Sequence, residues 1–216
     1  QLSGLAAFCF DVETTGLDVK RCGLVGIAFS WKAHGGFYVP VPAERANALA
    51  LLEEFRPVFE GSAEKVGHNL KYDLGVLRWH GIIVSGPFFD TMLAAALIDP
   101  DGRRGMDHLA QTLLNYQPIA ISELIGEKGD EQLGMNLVPL DEIVEYAVED
   151  ADITWQLAEL FREKIEEMGQ RRVFYEIECP LIPVLVEMEH EGVPPSAREA
   201  DAMTGQGRID YEEFLS

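Results

Sequence analysis

Positive charge is what this chain most lacks. Lys and Arg number 17 against 37 Asp and Glu, a formal net charge of −20 over 216 residues. Affinity for nucleic acid normally comes from Lys and Arg that neutralise phosphates. The balance excludes a chain that grips a polyanion by overall charge. A nucleic-acid role would need bound cations, a local basic strip, or another domain that does the gripping. Cysteine is scarce as well: Cys9, Cys22 and Cys179 are an odd set without metal-ligand spacing. That excludes a disulfide framework and a zinc site, and reads as free thiols in a reducing cytoplasm. Cys9 and Cys22 fall where strands could be neighbours, which is weak ground for a disulfide. No apolar run reaches the length of a membrane span and no signal-peptide pattern opens the chain, so neither a membrane partner nor export is expected. Internal repeats and low-complexity tracts are missing too.

What is present is a core. Hydrophobic residues make up 47% of the chain, and the length suits one good-sized domain plus an appendage. Phe8-Cys9-Phe10-Asp11-Val12-Glu13-Thr14-Thr15-Gly16 closes an apolar run with two acids and a glycine. Apolar on both faces, it reads as a buried central strand over residues 5–13. Alternate side chains share a face, so Asp11 and Glu13 point the same way. Two carboxylates projecting from an apolar strand repel and lose hydration, and a divalent cation is the commonest remedy. An acidic chain also makes such pairs with no chemistry attached, as at Asp99/Asp101 and Glu187/Glu189. The later segments therefore decide the matter.

Leu24–Trp31 and Phe37–Val41 read as further strands, joined by short turns that favour antiparallel hairpins. Residues 44–59 carry helical spacing, Lys65–His68 a short fourth strand, and Phe88–Asp90 the last, running into a helix at 91–98. Strand, helix, strand predicts a sheet that turns parallel from residue 65 onward. In Asn69-Leu70-Lys71-Tyr72-Asp73-Leu74-Gly75-Val76-Leu77, the leucines repeat at helical spacing. Asn69 reads equally well as a helix cap. Asp73, an acid beside an apolar stripe, has no such explanation. Met106–Leu114 is helical, and residues 115–138 are short helices and loops. A long helix opens at Pro139, with Asp141 and Glu142 suiting its dipole. Its buried stripe reads Ile143, Ala147, Asp150, Thr154, Leu157, Phe161, with Tyr146 one turn before Asp150. A tyrosine there is commonly core; an acid in that stripe needs a partner. Glu149 and Asp152 are assigned to solvent or ion pairs. The basic pair Arg171-Arg172 precedes a further helix that runs to Glu178, another starts at Pro180 and is ended by Gly192, and a short one is expected at 211–215.

Asp11, Glu13, Asp73 and Asp150 thus lie on or beside apolar faces of one strand and two helices. Should they meet, each pair about 5 Å apart repels by roughly 3 kcal/mol at an effective dielectric near 20. An all-oxygen set suits Mg²⁺ or Mn²⁺. Two such ions form an apparatus for in-line attack of water on a phosphodiester.

FDVETTGLD, VGHNLKYDLGVL and YAVEDADITWQL resemble, in order and spacing, the three motifs of the DEDDy 3′–5′ exonucleases. The likeness is greatest to the proofreading domain of bacterial family A DNA polymerases and covers roughly residues 1–192. MDHLAQTLL is similar to that family's connecting segment, and PLIPVLVEMEHEGV to its passage into the polymerase domain. The resemblance implies an α/β, RNase H-like (DnaQ-like) fold with a mixed sheet of about five strands. It implies a 3′–5′ exonuclease that uses two Mg²⁺ or Mn²⁺ ions and releases 5′-mononucleotides from single-stranded or frayed DNA 3′ ends. By position, Asp11 would bridge both ions, Glu13 and Asp150 would complete one site, and Asp73 would hold the second ion. Tyr146 would orient or help deprotonate the attacking water. Leu17 would wedge against the terminal bases, backbone near Thr14 would meet the 3′ end, and Asn69 the nucleotide backbone. The same resemblance implies a polymerase domain in cis and a cytoplasmic, nucleoid-associated protein. It divides the chain into an exonuclease domain (1–170), a helical connection (171–192) and an unassigned tail (193–216). With neither a 5′-nuclease nor a polymerase domain in this sequence, the chain is expected to be a fragment or a short form. Two rivals stand beside this reading: an RNase D-like exoribonuclease, and a catalytically silent scaffold domain.

Overall fold

The structure is a computed structural model that describes residues 2–127, 129 and 132–192. The expected helix at 211–215 and the tail 193–216 lie outside the described residues. Three strands form an antiparallel meander: β1 (Ala7–Thr14), β2 (Leu24–Lys32) and β3 (Gly35–Pro40). Helix α1 (Arg45–Phe59) then carries the chain to β4 (Glu64–Gly67), which pairs parallel with β1. Helix α2 (Leu70–Trp79) leads to β5 (Phe88–Asp90), parallel to β4. The sheet order is β3-β2-β1-β4-β5, so β1 is the central strand. The switch from hairpins to parallel crossovers falls at β4, as the alternation of strand and helix predicted.

Helix α3 (Thr91–Ile98), two short helices, α4 (Met106–Leu109) and α5 (Ile121–Ile125), and the 28-residue α6 (Leu140–Glu167) follow. After α6 the chain stays helical through α7 (Arg171–Val173), a wide turn over 174–178 and α8 (Cys179–Glu191). The two faces of β1 have different fates. Phe8, Phe10 and Val12 face one way, and Phe8 and Phe10 pack in an aromatic cluster with Phe29 and Phe59, with Phe55 stacked on Phe29. On the other face α6 crosses the sheet and buries Ile143, Ala147, Leu157 and Phe161 along with Asp150 and Thr154. The close approach needs glycine at 36. A Cβ there would lie 2.8 Å from the Phe29 carbonyl and 3.0 Å from Val148. Phe174, Cys179, Ile182 and Val186 join the same buried core. Helix α8 is also clamped to α2: Arg78 makes a two-pronged ion pair with Glu187 (2.7 and 3.1 Å), and Lys71 reaches Glu189 at 2.5 Å. Among the described residues, no helix is long and apolar enough to cross a membrane.

Two sequence-based assignments are corrected. Asn69 makes no side-chain cap; it sits in the left-handed region (φ 64°) just before α2. Its backbone N–H and that of Leu70 are instead received by Asp90, at 3.3 and 2.8 Å. Glu149 and Asp152 are not solvent or ion-pair residues. Glu149 accepts from the Tyr116 hydroxyl (2.6 Å) and the Ile119 N–H (2.7 Å), tying the connecting segment to α6. Asp152 accepts from the Gly35 N–H and from Gln156. Cys9 is buried in β1 and Cys22 precedes β2, and all three cysteines are free thiols.

Candidate active site

The C-terminal half of β1 supplies the first two acids. Asp11 and Glu13 point to the α6 face, and a bulge follows at Glu13/Thr14 that bends the strand away. Asp150 arrives from the buried stripe of α6. One carboxylate oxygen from each of Asp11, Glu13 and Asp150 lies within 4.8 Å of the others. Asp150 Oδ1 is buried and has no hydrogen-bond partner. Asp73 enters from the first turn of α2, 2% exposed, and its Oδ1 accepts the Val12 N–H at 3.0 Å. It stands beside the trio rather than within it. The strand–helix bond sets its position by fixing α2 against β1.

The electrostatics of this cluster follow from burial and mutual repulsion. Burial raises the Asp11 carboxyl to about 7. Burial, then the Asp11 charge, raises Glu13 to about 8. Asp73 and Asp150 are pushed well above the ordinary carboxylate range, first by burial and then by Asp11. Four carboxyls that resist ionisation are poised for a cation, because a positive ion reverses both penalties. The donor set fits such an ion: all oxygens, converging, with one buried oxygen left unpaired. Tyr146 faces this cluster from α6. Burial, followed by the charges of Asp150 and Glu13, drives its phenol ionisation far upward, so the phenol is a proton donor at neutral pH.

A cleft of about 460 Å³ opens over the acids, and all eight residues nominated from the sequence line it: Asp11, Glu13, Thr14, Leu17, Asn69, Asp73, Tyr146 and Asp150. Leu17 stands 88% exposed at its rim. The Thr14 hydroxyl is shared with Tyr72 (2.6 Å) and donates to the Gly16 carbonyl (2.9 Å), which fixes the turn that carries Leu17. A second cavity, of about 510 Å³ and walled by Thr15, Tyr38, Pro40 and Val138 among others, contains none of these acids.

Sequence reasoning missed three contributors. Asp90 gathers four backbone N–H groups: Asn69 and Leu70 before α2, and Met92 and Leu93 at the start of α3. An acid immediately before a helix was the available signal. His68 lines the cleft. Its Nδ1 meets the Thr91 hydroxyl at 2.8 Å, while that hydroxyl donates to the Gly67 carbonyl at 3.1 Å. Its Nε2 is buried and makes no hydrogen bond of standard geometry. Burial lowers this imidazole to about 4, so it is neutral. The third is a set of apolar side chains, Ile121, Ile125, Leu133 and Met135, that line the same cleft as Leu17. It comes from the 115–138 segment, whose sequence reads only as short helices and loops.

A mixed sheet carrying acids from a central strand and two crossing helices, under an open cleft, defines an RNase H-like nuclease fold. The same architecture is found in NrnC of Brucella melitensis, solved with bound Mg²⁺, at 20% identity over 89% of each chain with a TM-score of 0.71. Residues 1–166 match the family model described as 3′–5′ exonuclease. DNA polymerase I of Borreliella burgdorferi is 33% identical over 186 residues, 85% of this chain and 20% of its own. DNA polymerase I of Pseudomonas aeruginosa is 34% identical over 194 residues, 85% of this chain and 21% of its own. The chain belongs to the 3′–5′ exonuclease domain family of DNA polymerase I. It spans about a fifth of the length of the curated relatives it matches.

Proposed function

We propose that this domain removes 5′-mononucleotides from single-stranded or frayed 3′ ends of DNA, as the proofreading module of a DNA polymerase I-like enzyme. The observation that carries the reading is the convergence of Asp11, Glu13 and Asp150 within 4.8 Å at the floor of the cleft, with Asp150 Oδ1 unpaired. Asp11, Glu13 and Asp150 would hold one Mg²⁺ or Mn²⁺, and Asp73 with Asp11 a second. When bound, such ions supply Lewis acidity to the phosphodiester and offset charge that develops on its oxygens. The Mg²⁺ bound by NrnC supports this choice of cation. Tyr146, a neutral phenol, donates a hydrogen bond that orients the attacking water, and its raised ionisation makes it a poor base. Leu17 and the apolar side chains that line the cleft with it hold the terminal bases, and Asn69 and the backbone near Thr14 fix the sugar-phosphate. A frayed end suits this cleft, because unpaired bases stack on apolar side chains.

The acidic balance supports a division of labour. In this reading a polymerase domain in cis holds the duplex, residues 1–170 cut, residues 171–192 join the two, and the protein is cytoplasmic and nucleoid-associated. The test is digestion of matched, 5′-labelled DNA and RNA oligonucleotides with Mg²⁺ or Mn²⁺. We expect a ladder shortening from the 3′ end of DNA, absent in Asp11→Ala/Glu13→Ala. Faster loss of RNA would reassign the domain to an RNase D-like role. Equal inertness of wild type and double variant with both ions would leave a silent scaffold.

A further inference from the structure

One phenol near the acids has no task in the mechanism above. Tyr38 is paired with Ala28, and Ala28 with Asp11, so Tyr38 stands on the acid face of the sheet two strands away. Its hydroxyl is buried and has no hydrogen-bond partner. A buried hydroxyl left unpaired is costly and calls for a reason. The residue opposite Glu13 in the β1–β2 pairing is Gly26. A Cβ on Gly26 would lie 1.9 Å from the Tyr38 hydroxyl and 2.1 Å from its Cζ. Tyr38 therefore leans across β2 and fills the slot that a side chain at 26 would occupy, the cross-strand position nearest to Glu13. Glu13 is the charged group whose field, after burial, raises the ionisation of this phenol. Thus the Tyr38 hydroxyl occupies the cross-strand slot opposite Glu13, in a space kept open by a glycine.

We propose that Tyr38 is a positioning residue for Glu13: its hydroxyl donates to the Glu13 carboxylate and holds it turned toward the ion that the acid cluster takes. A carboxylate that gives one oxygen to a cation leaves the other in need of a donor, and such outer partners commonly set affinity tenfold or more. The inference rests on the acids being an ion site, and its test separates the two ideas.

The probe is Mn²⁺ alone, titrated by calorimetry into wild type and Tyr38→Phe, with melting measured in parallel with and without the ion. Phe keeps the ring and removes only the hydroxyl. We expect Mn²⁺ affinity to fall about 10-fold or more, with the ion-free melting temperature unchanged or raised, since an unpaired buried hydroxyl has gone. Equal Mn²⁺ affinity in the two proteins overturns the inference, and a lowered ion-free melting temperature beside equal affinity would assign Tyr38 to packing. A wild type that takes no Mn²⁺ overturns both this inference and the reading of the acids beneath it.

Discussion

At the scale of one residue, Asp150 supports the reading of the acids as an ion site. A carboxyl in a buried helical stripe, with one oxygen unpaired and its ionisation opposed by burial and by Asp11, weakens the fold unless something binds it. Asp150→Ala should therefore abolish cleavage while leaving the protein folded. In EDTA its stability should equal or exceed wild type by about 1 kcal/mol, read by chemical or thermal melting. A large loss of stability in EDTA would mean that Asp150 holds the fold together. Tyr146→Phe should slow turnover about 10- to 100-fold with Mn²⁺ affinity unchanged, and an unaltered rate would remove the phenol from the mechanism. The acids were legible in the sequence because each breaks a pattern: Asp73 and Asp150 interrupt apolar helical stripes, and Asp11 and Glu13 end a buried strand. Tyr38 was not legible, since its meaning depends on register. That Gly26 faces Glu13 is a fact about strand pairing, and no spacing along the chain reveals it.

Among the elements, α2 carries the most consequence, because it sets the place of Asp73. Asp90 ties its first turn and the start of α3 to the end of β5 through four N–H groups. Asp90→Ala strands those donors at a buried point, and should cost about 3 kcal/mol from the lost cap and unpaired groups. Activity should fall with it as Asp73 loses its seat, and near-wild-type melting would contradict this account of α2. Strands and helices themselves were legible, since β1, β2 and α6 are long and carry clear periods. The chemistry between elements was less so. Asn69 in a helix-opening position reads as a cap, yet a left-handed backbone there and an acid from β5 take over the task. Glu149 looks like a surface acid until the segment at 116–119 folds back onto it.

The whole molecule carries the charge problem into its pH dependence. Asp11 and Glu13 ionise near 7 and 8 in the folded state without ion, well above their ordinary 3.8 and 4.5. Between those limits the folded protein binds more protons than the unfolded chain, so this part of the stability is full at low pH and is lost as pH rises through 7 to 8. In EDTA the melting temperature should therefore be lower at pH 8.5 than at pH 6. Asp11→Asn/Glu13→Gln should flatten that slope. With saturating Mn²⁺ the trend should reverse, because the ligands must be deprotonated to bind. A melting temperature in EDTA that climbs from pH 6 to 8.5 would show that these carboxyls are charged and satisfied without an ion.

The most direct measurement is anomalous diffraction from a crystal soaked in Mn²⁺. The account predicts a peak bonded to Asp11, Glu13 and Asp150, with a second near Asp73. A fully soaked crystal with those carboxylates bare, or with manganese only at surface acids elsewhere, would contradict it.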